Sequence, residues 1–226
     1  MDKITGFFKS IATKEGIISI AAVLVVCLVL RVYSKKKSQG SLLSTKDVVA
    51  IGIGAALYGV ISMIPIPIGP NTSFRIAIAI LVIFGGLFGP IVGFLVGFIG
   101  HALNDALMWG SVWWSWVFLS AVIGLFSGLI NLDDKYDISA GMLNKAHIIR
   151  MYIYSIAGVV IGSLVAYLGD VFLYGEPADK VWLQIILSSV TNLAVIAVIG
   201  IPVLIGLAKR NKTVDLEKEE IGGQNE

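Results

Sequence analysis

The residue types best suited to chemistry cluster near the middle of the chain, at the end of a long apolar stretch. His101 and Asp105 lie one helical turn apart, so a helix would bring their side chains to one face, and Asn104 lies beside them. Two ligands with no third histidine or cysteine nearby are a weak metal signature, and we assign no metal. Two interpretations stay open: the three side chains form a hydrogen-bonded cluster between helices, or they contact a solute in a cavity.

Four tryptophans follow this cluster, at positions 109, 113, 114 and 116. Tryptophan concentrates at membrane–water interfaces whatever the function of the protein. Successive residues point in different directions around a helix, however, so the four indoles cannot all face lipid. We expect Trp109 and Trp113 to contribute to a binding site, where an indole can stack on a planar ligand.

Further polar candidates lie in segments predicted to reach the same membrane face. Arg75 is an interfacial anchor or a ligand contact, and Asn192 bonds a neighbouring helix or a ligand. The complete candidate set for solute binding is Asn71, Arg75, His101, Asn104, Asp105, Trp109, Trp113, Tyr167, Asp170 and Asn192.

The composition is that of an integral membrane protein. Hydrophobic residues make up 57% of the 226 residues, charged residues only 14%, and the mean hydropathy is +0.89. A formal net charge of +2 offers no electrostatic support for a nucleic-acid partner. Cys27, the single cysteine, can form no intrachain disulfide.

Apolar runs predict an all-α protein with seven membrane spans. Residues 76–100 carry no charge but contain Gly89-Pro90, where proline disfavours helix continuation, so this stretch is divided into two short helices. The predicted spans cover residues 16–32, 47–64, 75–88, 90–108, 112–130, 148–168 and 181–207. A proline-rich surface loop separates the second span from the third.

The positive-inside rule selects this topology. Seven spans with the N-terminus outside place twelve of the 17 lysines and arginines in the cytoplasm and five outside. If residues 76–108 crossed the membrane only once, six would lie inside and eleven outside. We therefore predict a multi-pass cell-membrane protein with its C-terminus in the cytoplasm and with the polar and aromatic cluster on the extracellular face.

Small residues recur along the second span at a spacing of four. This pattern puts a smooth strip on a helix, which serves either packing within the protein or docking of a separate membrane subunit. The strip consists of Ala50, Gly52, Gly54, Ala55, Ala56 and Gly59. The chain contains no Gly-x-x-x-x-Gly-Lys-Ser/Thr loop and no Gly-x-Gly-x-x-Gly after a strand, so no nucleotide cofactor is assigned.

Several stretches in order resemble the UPF0397 group, which is classed with the riboflavin-type substrate-binding (S) components of energy-coupling factor (ECF) transporters. They are VAIGIGAAL at 49–57, the proline loop at 65–72, FGPIVGF at 88–94, GFIGHAL at 97–103 and GSVWWSWV at 110–117. The resemblance covers roughly residues 45–207. The chain departs from the pattern at Asn104, where the resemblance leads us to expect lysine, and in the additional span at 16–32.

The resemblance implies a fold and a mechanism. Residues 38–208 would form the six-helix S-component core, residues 1–37 an extracellular tail with an extra transmembrane anchor, and residues 209–226 a disordered, charged cytoplasmic tail. An S component captures a vitamin or related micronutrient outside, docks to a transmembrane coupling protein with two cytoplasmic ATPases, and topples to release its solute. A riboflavin-like solute is expected, with cobalamin or a methionine precursor as alternatives.

Two hypotheses from other classes compete with a transport role. The first is an intramembrane enzyme using His101 and Asp105, for which the sequence offers no third catalytic group. The second is a structural partner whose role is assembly through the small-residue strip.

Overall fold

The computed structural model describes residues 3–34, 43–64, 66–69 and 72–222, and it is 81% helical. The described part of the chain contains nine α-helices and one short hairpin. The helices are α1 (Lys3–Ile11), α2 (Lys14–Ser34), α3 (Thr45–Ile61), α4 (Ile78–Phe88), α5 (Pro90–Trp109), α6 (Trp114–Gly128), α7 (Lys145–Leu168), α8 (Ala178–Val195) and α9 (Ile201–Gly222). The two strands are β1 (Ile66–Gly69) and β2 (Thr72–Phe74).

The helical architecture is that of an all-α membrane protein. Four helical segments in the described chain are long and apolar enough to cross a bilayer, or five if α1 and α2, which meet at a 66° bend, count as one broken span. The 17-residue α3 and the 11-residue α4 are shorter than the roughly 20 residues that a bilayer core requires. The count of six core spans plus one stays a prediction.

The break between α4 and α5 falls where the sequence predicts it. Gly89 has φ +95°, which favours glycine, and Pro90 begins α5. Because Pro90 lacks an N–H, the Gly86 carbonyl loses its helical partner. Asn131 Nδ2 (2.8 Å) and the Tyr136 hydroxyl (3.0 Å) donate to that carbonyl instead. Burial raises the pKa of the Tyr136 hydroxyl, so that it stays protonated as a donor.

Helices α5 and α6 cross at near-backbone contact. A Cβ added at Gly124 would lie 2.1 Å from the Gly93 carbonyl oxygen, and one added at Gly93 would lie 2.2 Å from the Gly124 oxygen. One turn further along α5, Gly97 meets the Ser120 carbonyl in the same way, at 2.6 Å. These glycines bring the two helices close enough for side chains of α5 and α6 to share one site.

Replacing Gly124 with alanine is therefore expected to lower the free energy of unfolding by about 2 to 3 kcal/mol, since backbone atoms would have to move apart. Gly52→Ala is the matched control, because a Cβ there meets nothing within 4 Å. Alanine also favours helix over glycine, so the control should be neutral or slightly stabilising. Thermal unfolding of both variants in the same detergent measures the difference, and equal midpoints would contradict the close crossing.

The hairpin forms where the sequence predicts a proline-rich surface loop. Strands β1 and β2 pair antiparallel, with Ile66 opposite Phe74 and Pro67 opposite Ser73. The pairing shifts between Pro67 and Gly69, and Gly69 lies against Leu187 of α8, where a Cβ would come within 2.5 Å. The hairpin thus closes over one end of the helix bundle.

Several predicted boundaries differ from the structure. Residues 3–11, within the predicted extracellular tail, form α1 and pack on the protein, and the extracellular placement of that tail stays a prediction. Helix α4 begins at Ile78 rather than at residue 75. Helix α7 continues through a π-helical turn, Gly169–Tyr174, beyond the predicted end of its span at residue 168. A second π-helical turn, Ile196–Gly200, joins α8 to α9. Helix α9 extends to Gly222, so the described part of the tail that was predicted to be disordered is helical.

Candidate solute-binding site

A cavity of about 690 Å³ opens at the hairpin end of the bundle. Its walls come from α3, the hairpin, α5, the α5–α6 connection, α6, the end of α7, and α8. This volume falls in the range of about 300 to 1,000 Å³ that is typical of small-molecule sites. The lining mixes indole, guanidinium, carboxyl, amide and hydroxyl groups, which can stack on a ring and exchange hydrogen bonds.

Four side chains form a hydrogen-bonded chain in the cavity wall. Arg75 Nη1 lies 2.7 Å from His101 Nε2, His101 Nδ1 lies 2.7 Å from Ser120 Oγ, and Ser120 Oγ lies 3.0 Å from the Tyr58 hydroxyl. A guanidinium can only donate, so His101 Nε2 must accept and Nδ1 must carry the proton that is donated to Ser120. The chain therefore holds His101 as a neutral imidazole in one tautomer and aims Arg75 into the cavity.

Asp105 orients the connection between α5 and α6. Its Oδ2 accepts a hydrogen bond from the backbone N–H of Trp113 (3.1 Å), and its Oδ1 lies 3.5 Å from His101 Nε2. Asp105 is 5% exposed and His101 is 3% exposed. The predicted pair on one face of α5 is thus present, but each member is held by a different neighbour.

Asp170 accepts hydrogen bonds from three side chains of the α5–α6 region. Its carboxyl oxygens accept from Trp113 Nε1 (2.8 Å), from Trp116 Nε1 (2.8 Å) and from the Ser115 hydroxyl. The Trp113 ring also stacks on Tyr174, with centroids 4.5 Å apart and planes inclined by 17°. One carboxyl group at 2% exposure therefore fixes two indoles of the cavity wall.

The four tryptophans have different surroundings. Trp113 and Trp116 line the cavity, Trp109 lies at its rim and is 72% exposed, and Trp114 is buried. The indole of Trp114 faces α1 rather than the cavity and donates to the Ser10 carbonyl (3.1 Å).

A polar stripe on α8 completes the wall. Gln184, Ser188 and Asn192 follow one another at a spacing of four, each is 6% exposed, and all three line the cavity. Glu176 and Lys180, an ion pair one turn apart, stand at the mouth.

The structure brings together seven of the ten predicted solute-binding residues: Arg75, His101, Asp105, Trp109, Trp113, Asp170 and Asn192. Asn104 points away, and its amide donates to the Gly59 carbonyl on α3 (3.4 Å). Tyr167 packs against Trp182 outside the cavity. Asn71 lies outside the described residues.

Sequence reasoning missed several lining residues. The stripe on α8 was readable, because Gln184 and Ser188 precede Asn192 at helical spacing in an apolar span. Tyr58, Ser120 and the hairpin residues Thr72 and Ser73 gave no comparable signal, since their role depends on which helices and strands meet.

The small-residue strip on α3 divides between two faces. Ala50, Gly54, Ala55 and Gly59 are buried, and Gly54 faces Val96 and Phe84, where a Cβ would come within 2.7 to 2.8 Å. Gly52 and Ala56 are exposed, together with Val49, Ile53 and Val60. Part of the strip thus serves packing inside the protein, and part remains on an open apolar face.

Fold and site together define a multi-pass α-helical membrane protein with a solute-sized cavity at one end of its helix bundle. The model of the family "ECF-type riboflavin transporter, S component" matches residues 42–209. The chain is also 44% identical over 181 residues to a UPF0397 protein of Lactococcus lactis subsp. cremoris (strain NZ9000), covering 78% of this chain and 98% of that relative. No solved structure matches. The chain belongs to the family of ECF-transporter S components.

Family membership settles the class of function. The chain is a substrate-binding subunit of an ECF importer, and it is a transporter subunit rather than an enzyme. The hypothesis of an intramembrane enzyme built on His101 and Asp105 is therefore wrong. Among the residues that the structure describes, no group of three or more His, Cys, Asp and Glu side chains could hold a metal ion.

Proposed function

We propose that this S component captures a riboflavin-like vitamin in the cavity between the hairpin, α5, α6 and α8. The carrying observation is the pairing of two anchored indoles, Trp113 and Trp116, with the Arg75 guanidinium across one cavity. Indole faces suit a planar ring system, and a guanidinium presents donors to ring carbonyls. The amides and hydroxyls on α8 suit a hydroxylated side chain.

We further propose that the cavity opens to the cell exterior. The support is the charge distribution, with twelve basic residues on the opposite side and five on the cavity side in the predicted topology. The hairpin, the α5–α6 connection and α1 lie at the same end of the molecule, which is consistent with an N-terminus outside.

Coupling to ATP hydrolysis is assigned to partner subunits. Family membership implies a transmembrane coupling protein and two ATPases, and the sequence lacks a phosphate-binding loop of its own. We propose that the coupling protein docks on the open face of α3 that contains Gly52 and Ala56.

Purified protein tests the solute assignment by quenching of its tryptophan fluorescence. We expect saturable quenching by riboflavin and none by thiamine at the same concentrations. Saturation by cobalamin or by a methionine precursor instead would replace the riboflavin assignment and keep the cavity. No saturation by any of these solutes would contradict solute capture at this site.

Docking is tested separately from binding. Replacing Gly52 with leucine puts a bulky side chain on the open face of α3, and we expect uptake by the assembled transporter to fall about tenfold with solute binding by the isolated subunit unchanged. Gly206→Leu is the matched control, because Gly206 is an exposed helical glycine on α9 with nothing within 4 Å of an added Cβ. Equal uptake by the two variants would remove α3 as the docking face.

A further inference from the structure

We propose that α1 is a brace for the solute site: it holds the α5–α6 connection, residues 110–113, in the position that lets Trp113 reach its partners. The inference rests on the proposed function for its effect on solute affinity. It assigns a role to the segment that precedes the part of the chain matched by the family model.

Hydrogen bonds tie α1 to both ends of the connection. Ser10 Oγ accepts from the backbone N–H of Val112 (3.1 Å), and the Ser10 carbonyl accepts from Trp114 Nε1 (3.1 Å). Lys3 Nζ donates to the carbonyl of Leu107 at the end of α5 (2.6 Å). The Ser10 hydroxyl donates to the Gly6 carbonyl (3.0 Å), which leaves its lone pairs directed at Val112.

The contact between α1 and the connection is also close and apolar. A Cβ at Gly6 would lie 2.0 Å from the Gly110 carbonyl oxygen, so the two backbones touch. Gly110 itself has φ +72°, the left-handed conformation that ends α5. Phe7 and Ile11 pack against a buried cluster consisting of Ala102, Val112, Trp114 and Val117.

The braced segment carries the site. Trp113, adjacent to Val112, donates its backbone N–H to Asp105 and its indole N–H to Asp170. A shift of Val112 would displace Trp113 from the carboxyl groups of Asp105 and Asp170. Solute binding depends on such preorganised geometry. A plain membrane anchor would have no need of a backbone contact between Gly6 and Gly110.

The test compares Ser10→Ala with wild type in the full-length protein by two measurements. Amide hydrogen exchange of residues 110–114 without solute should accelerate about tenfold, because the Val112 N–H loses its acceptor. The Kd for riboflavin from tryptophan quenching should rise about tenfold. Ser10→Thr, which keeps the hydroxyl, should restore both values toward wild type.

Ser19→Ala is the matched control, a buried serine of the same N-terminal segment on α2, and it should change neither value. Unchanged exchange in Ser10→Ala would overturn the brace, and faster exchange with an unchanged Kd would overturn its role in positioning the site. If the wild-type protein failed to bind riboflavin, the solute assignment would fall, while exchange in the solute-free protein would still decide whether α1 holds the connection.

Discussion

Replacing Asp170 with alanine is expected to weaken solute binding about 100-fold, a loss of about 2.7 kcal/mol. The substitution removes the acceptor for three donors at once: Trp113 Nε1, Trp116 Nε1 and the Ser115 hydroxyl. Buried donors left without an acceptor cost about 1 to 3 kcal/mol each, and the two indoles would leave their present positions to find new partners. The cavity wall would therefore lose its shape as well as its hydrogen bonds.

Two further variants make the Asp170 prediction specific. Asp170→Asn keeps one acceptor oxygen but places an amide N–H₂ toward one of the present donors, so an intermediate loss of about tenfold is expected. Asp179→Asn, an exposed acidic residue in the first turn of α8, should bind as wild type. Titration of all three by tryptophan quenching, with thermal unfolding to verify folding, gives the comparison. A folded Asp170→Ala variant with wild-type affinity would rule out this anchor.

Replacing Arg75 with methionine should produce a loss of similar size, about 30- to 100-fold in Kd or 2 to 2.7 kcal/mol. The guanidinium donates to His101 Nε2 (2.7 Å) and, in the proposed site, to the solute. Without it the imidazole is free to change tautomer, and the hydrogen-bonded chain through Ser120 to Tyr58 loses its fixed direction. Methionine matches arginine in apolar length, so the loss reports on the charge and the donors.

The variant Arg75→Lys separates the effect of the positive charge on affinity from the effect of the donor geometry. An ammonium keeps the positive charge but lacks the planar set of donors, so partial retention of affinity is expected. Lys145→Met, at the exposed start of α7, removes one positive charge far from the cavity lining and should leave Kd unchanged. If Arg75→Met bound the solute as wild type, Arg75 would be an interfacial anchor, the other interpretation that the sequence allows.

Part of the candidate site could be predicted because helical spacing is short-range. Four residues separate His101 from Asp105 on any α-helix, and the Gly89-Pro90 break follows from the missing proline N–H and from the free φ of glycine. The same reasoning could not choose between a hydrogen bond to a neighbouring helix and a solute contact for Asn104, which lies one residue before Asp105. Its amide turns toward the Gly59 carbonyl because α3 packs on that side of α5.

The two faces of α3 show the same limit. A spacing of four residues shows that small side chains share one strip of the helix, but not which neighbouring element packs against them. In the structure Gly54 lies against Phe84, whereas a Cβ added at Gly52 would meet nothing within 4 Å. Tyr167 likewise turned to Trp182 instead of the cavity, since α8 lies beside α7 at that level.

By itself, the sequence determined that this is a membrane protein and that a helix breaks at Gly89-Pro90, and it identified seven of the polar and aromatic residues that line the cavity. It could do so because hydropathy, proline and glycine act on neighbouring residues of the chain. Only the tertiary structure decided that the indoles of Trp113 and Trp116 would both donate to Asp170, and that α1 would pack on the α5–α6 connection. These contacts join residues 54 to 102 positions apart. They depend on which helices approach one another, which near-backbone crossings such as Gly93 with Gly124 allow.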